Sequence, residues 1–74
     1  MQIEIIRKTE LSPSFERWFI RLAEKDWTLL GYQIEAMDGA ALHHRCPEQQ
    51  DVLVLDISKD YLSKVESLIN HLGG

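Results

Sequence analysis

Leu29-Leu30-Gly31-Tyr32-Gln33-Ile34-Glu35-Ala36-Met37, then Asp38-Gly39, then Ala40-Ala41-Leu42-His43-His44-Arg45-Cys46 is the stretch on which the fold of this chain turns. The first limb alternates apolar with small or polar residues, Asp38-Gly39 is a turn dipeptide, and the second limb returns with the histidines, arginine and cysteine, so the sequence predicts a β-hairpin. A two-residue loop would set Ile34 opposite His43 and leave Leu42 on the solvent side. A three-residue loop, Met37-Asp38-Gly39 with Gly39 left-handed, sets Ala36 against Ala40, Ile34 against Leu42 and Tyr32 against His44. The second buries Leu42. It places His44 and Cys46 under the helices and leaves Ala41, His43 and Arg45 on the open face beside Gln33 and Glu35.

Working outward, the β-branched alternation of Gln2-Ile3-Glu4-Ile5-Ile6 predicts a strand over 2–8. Ser12-Pro13 has the chemistry of a helix start, and Phe15, Trp18, Phe19, Leu22 and Ala23 follow as an apolar stripe running to about Lys25. Strands are expected over 29–37, 40–46 and 51–57, the last two joined by the turn Pro47-Glu48-Gln49-Gln50. Ser58 is placed to cap a second helix with an apolar face of Tyr61, Leu62, Val65, Leu68, Ile69 and Leu72, supported by an Asp60 to Lys64 pair and stopped by Gly73. The expectation is one small α+β domain over 1–74, ordered βαβββα, with an antiparallel sheet and two helices packed on one face.

At 74 residues, folding hides only roughly 60% of the surface of the unfolded chain, so self-association would add needed burial. Twelve acidic against eight basic residues give a net charge of −4, which disfavours a nucleic-acid binder that works by neutralising phosphates. A single cysteine, Cys46, excludes an internal disulfide. With no charged-then-apolar leader and no apolar run approaching bilayer length, a cytoplasmic protein with no membrane contact is expected.

His43, His44 and Cys46 are metal-ligand types, but adjacent strand residues point to opposite faces and His71 belongs to the second helix, so neither metal nor cofactor is expected. Arg17, Arg21 and Lys25 repeat at four-residue spacing and, on a helix, would form a like-charged stripe that could receive an anionic partner. Ile6, Val52 and Val54 fall on the open side of the sheet if Ile3, Ile5, Leu53, Leu55 and Ile57 face the helices, and an apolar patch there suits an interface.

Residues 31–47, from Gly31-Tyr32 through Gly39 to Arg45-Cys46-Pro47, resemble the hairpin of HicA toxins, small ribonucleases with a fold like double-stranded-RNA-binding domains. In that family a Gly-Ser-His turn supplies the catalytic histidine. Its position here is Ala41, and alanine cannot transfer a proton, so the resemblance implies a nuclease only if His43, two residues on, takes the role. Glu24-Lys25-Asp26-Trp27-Thr28-Leu29-Leu30-Gly31-Tyr32-Gln33-Ile34 is similar to the helix-to-strand passage of ACT-type regulatory domains, which implies dimerisation and binding of small effectors. Gly73-Gly74 resembles the end of ubiquitin-like sulfur carriers, although here the glycines follow a helical stretch that they would ordinarily terminate.

The function that these residues suggest is a non-catalytic interaction or regulatory module. Its partner is another protein, or a second copy of the chain, met through the open sheet face by Ile6, Gln33, Glu35, His43, Arg45, Val52 and Val54.

Overall fold

The computed structural model describes residues 1–37 and 39–73. Asp38, half of the expected Asp38-Gly39 turn, and Gly74 of the terminal glycine pair lie outside the described residues.

The chain opens with two antiparallel strands, β1 (Glu4–Ser12) and β2 (Phe15–Arg21). The helix expected from Ser12-Pro13 to Lys25 is therefore strand β2. Ser12 makes hydrogen bonds of the kind expected of a cap, its Oγ accepting from the N–H groups of Ser14 and Phe15 at 3.3 and 3.1 Å, but they close a hairpin turn. Beyond the turn, Glu16, Trp18 and Ile20 alternate with Phe15, Arg17, Phe19 and Arg21, and only the first set sends large apolar groups into the core.

A single 3-10 turn (Glu24–Asp26) leads into helix α1 (Trp27–Glu35), where a strand over 29–37 was expected. The hairpin pairs Ile34 with Leu42 and Tyr32 with His44 are consequently not formed. Leu30, Gly31 and Ile34 are the buried residues of α1, at spacings of one, three and four. Strands β3 (Ala41–Arg45) and β4 (Val52–Ser58) follow close to their expected bounds. Ser58 ends β4 and makes no side-chain cap; a 3-10 turn (Lys59–Tyr61) precedes helix α2 (Leu62–Gly73), and the Lys64 ammonium lies 5.4 Å from the Tyr61 ring centre.

The result is an α+β fold, a four-stranded antiparallel sheet in the order β1-β2-β4-β3 with both helices on one face. Trp18, Ile20, Leu53, Leu55 and Ile57 meet Leu30 and Ile34 of α1 and Val65 and Ile69 of α2 in one buried cluster. Each fully buried aliphatic side chain there contributes about 1.5–3 kcal/mol. Among the described residues, no helix is long and apolar enough to cross a membrane.

Candidate functional site

The uncovered face of the sheet follows from the strand registers. Across β1, β2, β4 and β3 its rows run Glu4, Arg21, Val52; then Arg7, Phe19, Val54, His44; then Thr9, Arg17, Asp56, Leu42; then Ser12, Phe15, Ser58. Two backbone bonds carry the register beyond β3: Ser58 N–H donates to the Ala40 carbonyl at 2.9 Å, and Cys46 N–H to the Val52 carbonyl at 3.1 Å. Cys46 therefore shares this face.

At its centre, the Arg17 guanidinium forks onto the Asp56 carboxylate, Nε to Oδ1 at 2.7 Å and Nη2 to Oδ2 at 3.0 Å. The hydrogen bond from Arg17 is the largest cause holding the Asp56 carboxyl below the ordinary carboxylate range, and it raises Arg17 in turn. His44 Nε2 lies 3.4 Å from the same carboxylate. Arg21 bridges Glu4 at 3.4 Å and Asp51 at 3.0 Å. Arg7 differs: its guanidinium carbon lies 5.6 Å from the centre of the Phe19 ring, and among the described residues it has no carboxylate partner. Leu42, at 71% exposure, stands at the far side of the face.

The expected binding residues divide. Val52 and Val54 are on the uncovered face but only 1% and 3% exposed, because β4 is a central strand and the long side chains of its neighbours close over it. They support the surface from beneath. Ile6 sits at a break in register between Ile5 and Arg7, a β-bulge on β1. Gln33 and Glu35 belong to α1, away from this face. His43 and Arg45 lie on the helical side of β3, opposite Leu55 and Leu53, and Leu42 and His44 face outward, the reverse of the expected orientation. One cause is the loss of the hairpin: with 29–37 helical, nothing in the turn dictates the register of β3, which is set by pairing with β4.

His43 and Arg45 still form a second, smaller cluster. His43 Nε2 is 3.4 Å from Glu35 Oε1, Arg45 Nη2 donates to Glu24 Oε1 at 2.8 Å, and the Arg45 guanidinium stacks 4.7 Å from the Trp27 ring centre. The expected helical stripe of Arg17, Arg21 and Lys25 does not exist, since Arg17 and Arg21 share the uncovered face of β2 and Lys25 is in the 3-10 turn. Among the described residues, no group of three or more His, Cys, Asp or Glu side chains is placed to hold a metal ion. Sequence reasoning missed Arg7, Phe15, Phe19, Leu42 and Asp56; period-two alternation through Phe15 to Arg21 was the signal available for the two phenylalanines. Comparison with protein-family models, curated proteins and solved structures found no match.

Proposed function

We propose that this chain is a non-catalytic interaction module that docks a protein partner on the uncovered face of its sheet. The observation that carries the proposal is Arg7 stacked on Phe19, a cation with no carboxylate partner among the described residues, on a face that also presents Phe15 and Leu42. Such a surface suits a partner segment that brings a carboxylate together with an apolar side chain, the first for Arg7 and the second for the ground between Phe19 and Leu42. Arg17 and Arg21, expected to meet an anionic partner from a helical stripe with Lys25, stand on this face as strand residues. They offer less net attraction because Asp56, Glu4 and Asp51 already share their charge.

The test is titration with a panel of peptides that pair acidic and aromatic residues, followed residue by residue by amide chemical shift. Binding should perturb Arg7, Phe19, Leu42 and His44 and be lost in Arg7→Glu, while Lys64→Ala on α2 leaves it intact. Perturbations confined to the helices would overturn the proposal.

The HicA-like ribonuclease is the alternative, and it has one observation in its favour: a partly exposed imidazole 3.4 Å from a carboxylate, at His43 and Glu35. RNA cleavage abolished by His43→Ala would establish it.

A further inference from the structure

The two edges of the sheet are built differently. β1 is bulged at two places along its length, which twists its outer backbone away from any flat neighbour, whereas β3 pairs with β4 without a register break. Because Ala40 and Cys46 exchange backbone bonds with β4, the alternation of an antiparallel ladder turns the N–H and C=O groups of Ala41, His43 and Arg45 outward. That edge is regular and flanked by Leu42, the most exposed large apolar side chain among the described residues.

We propose that β3 pairs with β3 of a second copy, antiparallel, about a two-fold axis passing between the two Leu42 residues. The sheet then continues through both copies. This goes beyond the docking proposal: it uses the outer edge of β3 and takes up Leu42 from the uncovered face, while the Arg7–Phe19 ground at the other end of that face stays available.

Three features select the second copy and this register. Leu42 meets its own symmetry mate in a non-hydrogen-bonded pair, where cross-strand side chains approach most closely, and its exposed apolar surface is covered. His43 comes opposite Ala41 and His44 opposite Ala40, so no like-charged groups face each other directly, while Ala41 and His43 of both copies exchange backbone hydrogen bonds.

The helices supply the third. α1 straddles β3, where Gly31 packs on the His43 ring, and β4, through Leu30 and Ile34 in the shared core. With strands ~4.8 Å apart and the axis half a spacing beyond β3, α1 and its mate come to roughly 10 Å, a normal distance for packed helices. Glu35, whose carboxylate lies 3.4 Å from the His43 ring, marks the flank of α1 that overhangs this edge.

Sedimentation equilibrium from micromolar to near-millimolar protein should give a dimer for the native chain and a monomer for Leu42→Lys, with the same far-UV circular dichroism for both. In a Cys46→Ser background, Leu42→Cys should oxidise to a disulfide-linked dimer, because a non-hydrogen-bonded pair has suitable Cα separation, and His43→Cys should not. A native chain that stays monomeric throughout, a dimer that survives Leu42→Lys, or cross-linking at 43 in place of 42 would each overturn the proposal.

Discussion

Arg17 and Asp56 face each other across β2 and β4, and the guanidinium grips the carboxylate with two hydrogen bonds of 2.7 and 3.0 Å at the centre of a sheet face that no helix covers. The pair joins the two central strands on the side opposite the core. On that face it lies in the row between Thr9 and Leu42, next to the row that holds Phe19.

The pair has a pH signature. Asp56 titrates below its ordinary value of 3.8, chiefly through the hydrogen bond from Arg17, so its stabilising contribution is fully present above that value and is lost as pH falls through the lower folded-state value. Asp56→Asn should therefore be less stable than the native chain at pH 7, and the gap should close in acid below about pH 4. Urea midpoints of both proteins across that range check this; a gap that stays constant into strong acid would refute it.

Gly31 lies in α1 because the His43 ring passes over it. A Cβ at this position would stand 3.2 Å from His43 Cε1 and 3.3 Å from Nε2. Alanine improves helix propensity by about 1 kcal/mol, which the displaced ring should offset in the native background. In His43→Ala the obstacle is gone, and adding Gly31→Ala should stabilise by about 1 kcal/mol. A double-mutant cycle from chemical denaturation measures the difference, and additivity within error would exclude the contact as the cause.

Val54 and Leu42 share the uncovered face yet differ in burial, 3% against 71% exposed. Val54→Ala should cost about 1.5–2.5 kcal/mol, the transfer of the removed carbons plus a cavity. For a 74-residue domain, whose whole stability is of order 4–11 kcal/mol, that is a large share. Leu42→Ala, measured at a concentration low enough to exclude self-association, should change stability by less than about 0.5 kcal/mol. Equal losses at the two positions would mean that burial of β4 by its neighbours is wrongly assigned.

Gly39 has φ of +83° with nothing within 4 Å of an added Cβ. Gly39→Ala should therefore cost about 1–2 kcal/mol through backbone strain alone, and Gly39→Asn less, since asparagine tolerates the left-handed region. With roughly 4–8 °C of Tm per kcal/mol in a domain of this size, both shifts are readable by calorimetry. An alanine variant as stable as the native chain would show that the loop changes conformation at no cost.

Two elements were exchanged between the sequence reading and the structure, and both errors have one source. Phe15 and Phe19, Trp18 and Leu22, and Leu30 and Ile34 are each four residues apart, a spacing that lies on one face of a helix and also on one face of a strand. Phe15 to Arg21 carries aromatics on both faces and so satisfied a helical stripe, although its β-branched and aromatic content favours a strand. Residues 29–37 alternate, yet Trp27, Leu30, Gly31 and Ile34 also satisfy a helix. His43 and Leu42 face opposite to the expected way for the same reason: the hairpin that would orient them does not form, and β3 takes its register from β4.

What the chain determined by itself is its class and its strongest periods: four strands and two helices in an α+β arrangement, β3 and β4 close to their observed limits, the apolar face of α2, and Leu53, Leu55 and Ile57 as core. Only the tertiary structure decided which of the two ambiguous segments is the helix, which side of β3 faces out, and that Val52 and Val54 are covered. Those outcomes depend on β2 and β3 both pairing with β4, contacts between residues more than thirty positions apart in the one case and 8 to 16 apart in the other. Local periodicity carries no information about such pairing, because a side chain's face is settled by the strand it lies beside.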